Sequence, residues 1–471
     1  VLAKSVSQLT IFQRSPHWIR VLSDYHRKVG GGKQWLLENI PFYRNWYRFK
    51  LFWAYGDGIW ESIHKDPNWP HADRSLNADN ERHRNAYVKN LSDALNGNEE
   101  LLELEYQEFF LNSWQMVGHV CDLQQPGDFI TFDMWRDSVI VVRGKDQVVR
   151  AFLNVCRHRA MRLLDGKGNC GGAIQCPYHG WTYRNDGSLL GVTQAENFPD
   201  IDKSTLGLQE VRLKIYRGHI FVNLLGGGAS IDDTLGAIEE EIAQYSPETY
   251  EPHRAPTFEI WNCNWKLAWD NYQENYHIPI GHPCLHRMVE STEEGVEFSG
   301  GFNYGYFAMR EKLSKVPQER RYQELMGSTD HRFPEGKGRK WLQLALDPNM
   351  GIEYYPDLFA LFQVLPLGVD KSLIKISTYS PPNLSAEESE MQAINLALLD
   401  EVNEQDKTLV ERIQSGVNTS GYQPGPLALE ESSVYSFHER VRELIPVASL
   451  PKAPLRGALH EVNSRMKEKR P

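Results

Sequence analysis

The sequence predicts an α+β protein in which a small all-β module stands between a helical N-terminal segment and an α+β domain. Residues 1–97 are rich in Trp, Tyr, Arg and His and carry mostly helical patterns. Over 98–230, short β-like runs alternate with Gly and Asp turns. Over 231–471, further strands lie between helical patterns. Strands grouped between helices in this way indicate an α+β domain.

Each element has its own signal in the sequence. In the first segment, helical patterns are seen in "IFQRSPHWIRVLSDYHRKV" and "ERHRNAYVKNLSDAL". The segment ends at a turn-like Asn96–Asn98. In the β module, strands are predicted for "FITFDMW", "SVIVVRG" and "GHIFVNL". In the last domain, we expect helices for "IDDTLGAIEEEIAQYS", "NWKLAWDNYQENYH" and 386–414, and strands for "GIEYYPDLFALFQVLP" and "SLIKISTYSPP".

Composition narrows the class of partner. The 471 residues carry a net charge of −11 and no basic stripe, which argues against nucleic acid or an anionic membrane and favours a small molecule or another protein. No stretch approaches the roughly 20 apolar residues of a membrane span, and no secretory signal is evident, so we expect a cytoplasmic protein. Six cysteines are too few for a disulfide scaffold, and a reducing compartment keeps them available to a metal.

The segment "CRHRAMRLLDGKGNCGGAIQCPYHGW" presents two mixed ligand pairs. Cys156 and His158 are separated by one residue, and Cys176 and His179 by two. A structural zinc site usually segregates its cysteines and histidines or uses cysteines alone. One cysteine and one histidine per loop is what a Rieske [2Fe–2S] cluster requires, because one iron takes both thiolates and the other takes both imidazoles. A zinc knuckle and unconnected core residues are the alternatives.

A second group of candidate ligands follows in "NWKLAWDNYQENYHIPIGHPCLHR". Asp270, Glu274 and His277 have helical spacings of four and three, which predicts that they share one helix face. Pro279 is expected to end that helix and to leave His282 on the turn beyond it. Two histidines joined by a carboxylate from elsewhere would form a facial triad that holds Fe(II) with open positions.

With both motifs, the chain resembles the terminal oxygenase α component of the Rieske non-haem iron, or aromatic ring-hydroxylating, oxygenases over about residues 105–440. The resemblance implies a Rieske domain before a helix-grip (START-like) catalytic domain. It makes Cys156, His158, Cys176 and His179 the cluster ligands, and His277 and His282 ligands of the mononuclear iron. The third iron ligand is a late carboxylate, for which Asp406 in "DKTLVERIQSG" is preferred to Asp400 and Glu404.

The resemblance also implies roles for two residues beside the iron. Glu274 takes the place of a bridging acid that is hydrogen-bonded toward a cluster histidine of the adjacent subunit, and Asn271 matches an asparagine near the iron. Many members have Asp at the bridging position, and a glutamate there resembles the subset that acts on quaternary amines. The aromatic residues expected around the substrate suit either a flat arene or a quaternary ammonium: Tyr304, Tyr306, Phe307, Tyr354, Tyr355 and Phe359.

The resulting expectation is an oxygenase that uses O₂ and electrons from NAD(P)H, delivered by a separate ferredoxin, flavin reductase or both. Its substrate would be a small aromatic compound or a quaternary amine, which it would mono- or dioxygenate or oxidatively dealkylate. Its assembly would be a homotrimer, with or without a β subunit. A non-catalytic electron carrier and a zinc-stabilised interaction protein are the competing functions. Residues 1–96 instead resemble a fragment of a flavin-dependent Baeyer–Villiger monooxygenase, in "LTIFQRSPHW", "WLLENIPFYRNWYRF" and "DPNWP". They lack the G-x-G-x-x-G fingerprint, so no flavin is expected.

Overall fold

A computed structural model describes residues 31–55, 64–70, 75–82, 97–298, 301–335, 338–419, 421–450, 454 and 457–468. The chain divides into two compact units, Val1–Glu100 and Leu101–Pro471. The helix predicted within 11–29, and most of the one within 81–95, lie outside the described residues. The predicted domain boundaries after residues 97 and 230 stay predictions.

The first unit contains helices α1 (Gly31–Asn39) and α2 (Pro41–Tyr55). Pro41 opens α2, a position where its missing N–H costs no hydrogen bond. Helix α3 (Gly97–Glu105) begins inside the segment that was expected to be a turn, so that expectation was wrong for Gly97 and Asn98. Glu99 and Glu100 in its first turn favour the helix by facing the positive end of its dipole.

The all-β module has the predicted strands. Its strands are β1 (Gln115–His119), β2 (Asp128–Met134), β3 (Asp137–Arg143), β4 (Val149–Leu153), β5 (Lys167–Asn169), β6 (Ala173–Gln175), β7 (Thr182–Arg184), β8 (Leu189–Gly191), β9 (Glu210–Tyr216) and β10 (His219–Asn223). One antiparallel sheet has the order β1-β10-β9-β4-β3-β2-β5, and a smaller one has the order β6-β7-β8. The smaller sheet and its loops pack on the larger through a shared apolar cluster that includes Ile140, Phe152 and Ile174.

The following region mixes helices with a second antiparallel sheet. Its helices are α4 (Ile231–Gly236), α5 (Glu239–Ala243), α6 (Trp265–Gln273), α7 (Ile278–Gly281), α8 (Pro283–Met288), α9 (Pro317–Leu325), α10 (Ala386–Val417), α11 (Ser432–Leu444) and α12 (Leu459–Glu468). Its strands are β11 (Glu251–Pro252), β12 (Thr257–Trp261), β13 (Val289–Phe298), β14 (Phe302–Met309), β15 (Lys340–Leu346), β16 (Met350–Tyr354), β17 (Phe359–Gly368) and β18 (Lys371–Ser380). The sheet order is β11-β18-β17-β16-β15-β14-β13, with β12 also paired to β18. This arrangement confirms the α+β class.

The long helix predicted over 386–414 is α10, and a capping box fixes its start. The Ser385 side chain accepts from the Glu388 amide, and the Glu388 carboxylate accepts from the Ser385 amide. Helix α10 packs against α6 and α9, and α6 packs on β17 and β18. The sheet and these helices therefore enclose the space in which the second group of candidate ligands lies. Among the described residues, no helix combines the length and apolar run needed to cross a bilayer.

Two helix predictions were wrong in extent. The pattern over 231–246 forms two short helices, α4 and α5, rather than one. Helix α6 ends at Gln273, so Asp270, Glu274 and His277 do not share a helix face. Glu274 adopts an extended backbone, with φ −126° and ψ 152°. Pro279 lies in the first turn of the next helix, α7, instead of ending α6.

Candidate functional site

The two Cys-His loops of the β module have the same backbone geometry. In the first loop, the Cys156 amide donates to the Met161 carbonyl at 2.8 Å and the Cys156 carbonyl accepts from the Ala160 amide at 3.0 Å. In the second loop, Cys176 makes the equivalent bonds with Trp181 and Gly180 at 2.8 and 3.0 Å. Ala160 and Gly180 both have positive φ, at 55° and 69°. Each loop is therefore a tight turn that presents one cysteine and one histidine.

The side chains at these loop tips suit a cluster with mixed ligands. Both cysteines are 3% exposed and belong to one apolar cluster. The His158 and His179 rings lie 4.7 Å apart, and the Trp181 ring stacks on His158. His158 Nδ1 is buried without a hydrogen-bond partner, as expected of a nitrogen that serves a metal. The Tyr183 hydroxyl lies 3.3 Å from Cys156 Sγ, where it can tune a bound cluster.

The second candidate centre consists of His277, His282 and Asp406. The two Nε2 atoms are 3.0 Å apart, and Asp406 Oδ1 lies 2.9 Å from His282 Nε2 and 3.6 Å from His277 Nε2. Two imidazole nitrogens and one carboxylate oxygen thus converge on one point. A cation at that point relieves the contact between the two nitrogens, so the donor set fits the 2-His-1-carboxylate site of non-haem iron.

Neighbouring side chains hold each of the three groups in place. Glu274 accepts from His277 Nδ1 at 2.5 Å and from the His277 amide at 3.0 Å. Gln405 Oε1 accepts from His282 Nδ1 at 2.8 Å, and Asn271 Nδ2 donates to Asp406 Oδ1 at 2.7 Å. Protons on the outer Nδ1 atoms leave both Nε2 atoms free to bind a metal.

Electrostatics at His282 also favour a bound cation. Burial by itself lowers the pKa of His282, but the hydrogen bond and charge of Asp406 outweigh burial and raise that pKa above its ordinary value. The pocket thus attracts positive charge, and a metal ion can take the place of the proton. Metal binding then requires the neutral imidazole and releases the proton.

The structure also places the other candidates named from the sequence. Asp400 pairs with Arg254, with 2.9 Å between Arg254 Nη2 and Asp400 Oδ1, so it does not join the group around the histidines. Glu404 is exposed on α10. Asp270 is paired with His438, whose Nε2 lies 2.9 Å from the Asp270 carboxylate, and burial raises the pKa of Asp270. Of the late carboxylates, Asp406 is the one that meets His277 and His282.

An open cavity extends from these ligands across the inner face of the sheet, with about 960 Å³ of empty space when the solvent at its mouth is included. Of the aromatic residues expected to line it, Phe307 and Tyr355 do so, whereas Tyr304, Tyr306, Tyr354 and Phe359 belong to a separate apolar core. Trp341, Tyr272 and Phe362 supply further aromatic walls that the sequence analysis missed. Gln405 and Glu353 were not predicted either, because a single Gln or Glu carries no local signal for its position.

The two regions that carry the candidate ligands match known protein families. Residues 113–212 match the family described as the Rieske [2Fe–2S] domain, and residues 241–446 match the ring hydroxylating alpha subunit (catalytic domain). The chain is 28% identical over 340 residues to the carnitine monooxygenase oxygenase subunit of Escherichia coli K12, covering 70% of this chain and 85% of that one. It is 28% identical over 371 residues to the glycine betaine monooxygenase oxygenase subunit of Pseudomonas aeruginosa, covering 72% and 83%.

A solved structure shows the same fold. It is that of a quaternary ammonium Rieske monooxygenase, described in connection with carnitine oxidation and inter-subunit electron transfer. The TM-score is 0.61 at 24% identity, over 73% of this chain and 91% of that one. The matched regions and this fold cover the β module and the sheet with its long helix, and the candidate ligands lie inside the matched regions.

Proposed function

Because the chain belongs to the Rieske non-haem iron oxygenases as their terminal α component, we propose that its two ligand groups hold the two iron centres of that system. The family's cofactors are a [2Fe–2S] cluster and a mononuclear iron, with electrons from a separate reductase. Cluster ligands are Cys156, His158, Cys176 and His179, and iron ligands are His277, His282 and Asp406. We assign the cluster to residues 98–230 and the iron to residues 231–471, ranges that contain the two matched regions.

The observation that carries this proposal is the convergence of His277, His282 and Asp406 at the end of a cavity with aromatic walls. An electron carrier would need neither the triad nor the cavity. A zinc-stabilised interaction protein would need neither the mixed Cys-His loops nor a second metal centre. Bound iron supplies activation of O₂, with electrons relayed through the cluster.

The residues around the triad have separate tasks. Glu274 holds the proton on His277 Nδ1 and fixes the orientation of that ring. Gln405 does the same for His282, and Asn271 orients the Asp406 carboxylate. The cavity beyond them holds the substrate next to the iron position.

We further propose that the working assembly is a homotrimer in which Glu274 of one subunit faces the cluster of the next. Support comes from apolar side chains exposed beside both centres. Tyr276 and Ile280, which flank His277, are 62% and 88% exposed, and Tyr178, next to His179, is 54% exposed. Apolar side chains that are exposed together at one place on a surface mark a site where a partner can bind. A second copy covering both patches would bring a cluster histidine toward Glu274.

The proposed reaction oxidises a small aromatic or quaternary-amine substrate, with monooxygenation, dioxygenation or oxidative dealkylation as the outcome. Relatives named for carnitine and glycine betaine support the amine, and the aromatic walls of the cavity accommodate either class. Electrons come from NAD(P)H through a ferredoxin or flavin reductase. We place the protein in the cytoplasm, where its described cysteines stay reduced.

The first test is the iron and acid-labile sulfide content of purified protein, with a visible spectrum. About three irons and two sulfides per chain, with a red-brown colour, are expected of one cluster and one mononuclear iron. If the protein contains two irons and two sulfides per chain, and the iron content does not increase after anaerobic addition of Fe(II), the mononuclear iron centre would be rejected. Zinc without sulfide would reject both.

The second test is Glu274→Gln in the loaded protein. We expect both metals to stay bound and the assembly to stay intact, while electrons from the pre-reduced cluster no longer reach O₂ in a single turnover. Glu311→Gln is the matched control, because Glu311 is exposed and outside the cavity lining. Cluster reoxidation and product formation at the wild-type rate in Glu274→Gln would reject the coupling role of this residue.

A further inference from the structure

Four residues, three of them polar, form a row across the inner face of the sheet inside the cavity. Gln343, Glu353, Ala360 and Thr378 are direct cross-strand partners on β15, β16, β17 and β18, in that order. All four line the cavity. Direct partners on neighbouring strands have their side chains on the same face. The sheet therefore presents a polar strip between the aromatic walls.

Glu353 is the charged member of this row, and among the described residues no Lys, Arg or His forms an ion pair with it. Tyr355 donates its hydroxyl to Glu353 Oε2 at 2.7 Å, and Gln343 Nε2 lies 3.5 Å from Oε1. Burial raises the pKa of Glu353, although hydrogen bonds from Tyr355 and Tyr272 partly oppose that rise. A carboxyl group held in such a place, without a cation, is costly unless a ligand supplies the missing positive charge.

The other carboxylates around the cavity are already matched. Glu274 is engaged with His277, and Asp406 lies among the proposed iron ligands. The cation at the cavity lining, Arg254, is neutralised by Asp400. The charge that the pocket leaves unmatched is thus that of Glu353.

Thr378 adds an independent observation at the other end of the row. Its side chain is buried, with the residue 3% exposed, and its Oγ1 has no hydrogen-bond partner. Buried hydroxyls are nearly always hydrogen-bonded in native proteins. Between Glu353 and Thr378 stands Ala360, whose small side chain leaves room above the sheet.

We propose that Glu353 is the specificity-determining residue of this pocket, which pairs with the positive charge of a cationic amine substrate while Thr378 hydrogen-bonds a polar group of the same molecule. The inference rests on the proposed oxygenase function and narrows its substrate class to cations. The aromatic walls contribute cation–π attraction to the same ammonium group. A neutral arene would leave the carboxyl group and the Thr378 hydroxyl unmatched.

The test compares a cation with its neutral isostere. Choline and 3,3-dimethylbutan-1-ol have nearly the same shape and differ in the charge of one atom. Their affinities are measured by calorimetry on the anaerobic, iron-loaded protein, for wild type, Glu353→Gln and Glu353→Met. We expect wild type to prefer choline by about 10- to 100-fold, and both variants to lose most of that preference.

Two matched variants separate charge recognition from general damage. Glu311→Gln should keep the wild-type preference, because Glu311 is exposed outside the cavity lining. Thr378→Val should weaken both alcohols about equally, since each carries the same hydroxyl. The visible spectrum of the cluster reports folding in every variant.

The inference would be overturned if wild type does not bind choline or binds choline and 3,3-dimethylbutan-1-ol with equal affinity. It would also be overturned if either Glu353 variant keeps the wild-type preference for choline. The affinity ratio of the two alcohols in wild type tests the inference even if a variant loses its cluster. Failure of the oxygenase function has a different signature, because it would appear as missing iron or sulfide before any ligand is added. Full metal content with turnover of a neutral arene would leave the function intact and reject the role of Glu353.

Discussion

Gln405→Leu should weaken iron binding while leaving the cluster untouched. In the structure, His282 is 1% exposed and its Nδ1 donates to Gln405 Oε1 at 2.8 Å. Leucine fills a similar volume but removes the acceptor, so a buried Nδ1–H loses its partner at a cost of about 1–3 kcal/mol. The ring is then free to turn or to adopt the wrong tautomer. That cost corresponds to a loss of roughly 10- to 100-fold in iron affinity, the range found for outer partners of metal-bound histidines.

The assay is an anaerobic Fe(II) titration against a competing chelator, with cluster absorbance recorded in the same sample. Gln318→Leu makes the same substitution at an exposed position on α9 and should bind iron like wild type. Gln405→Glu keeps an acceptor oxygen and should retain most of the affinity. Wild-type affinity in Gln405→Leu would refute the reasoning, and so would loss of the cluster together with the iron.

Three further predictions concern stability. Burial lowers the pKa of Lys375 to about 8, so Lys375→Met should stabilise the fold by up to about 3 kcal/mol at pH 7 in urea unfolding. Above pH 8, wild-type Lys375 loses its proton in the folded chain before it does so in the unfolded chain, so the stability of wild type rises with pH. The advantage of Lys375→Met over wild type should therefore shrink by about pH 10. Ala160→Gly should stabilise the fold by about 1 kcal/mol, because Ala160 has φ 55°, a left-handed conformation that glycine adopts without strain. The cluster colour should then be lost at a higher temperature than in wild type, and loss at a lower temperature would contradict the prediction. Gly351→Ala should destabilise the fold by about 1–3 kcal/mol in thermal unfolding, because the added Cβ would lie 2.0 Å from Tyr272 Cζ. Gly368→Ala is the control, because a Cβ there meets no other atom within 4 Å. Equal stability of the two variants would contradict the prediction.

The folded cluster loops show why a local pattern was informative. Cys156 and His158, like Cys176 and His179, lie within a few residues of each other, so one tight turn presents both side chains of a pair. The ligand types and their spacing are therefore nearly independent of distant packing. Strand and long-helix predictions succeeded for the same reason, because periodicity and capping are properties of short segments.

The ends of helices were harder to predict than the presence of the helices. The spacing of Asp270, Glu274 and His277 suits a helix face, yet α6 ends at Gln273. Glu274 leaves the helix because its carboxylate accepts from both the amide and the ring of His277. Asp270 lies against His438, which is 168 residues away. The periodicity of the sequence does not indicate either contact, that of Glu274 with His277 or that of Asp270 with His438.

By itself, the sequence determined the class of the fold, the two Cys-His loops and the pair of histidines near residue 280, because each is written within one short segment. Only the tertiary structure decided which late carboxylate meets those histidines. Asp406 lies about 200° around α10 from Glu404, and Asp400 is occupied by Arg254. Tertiary structure likewise brought Gln405 to His282 across 123 residues and set Glu353 opposite Ala360 on the cavity floor. These contacts arise from strand register and helix packing between distant segments, which no local pattern encodes.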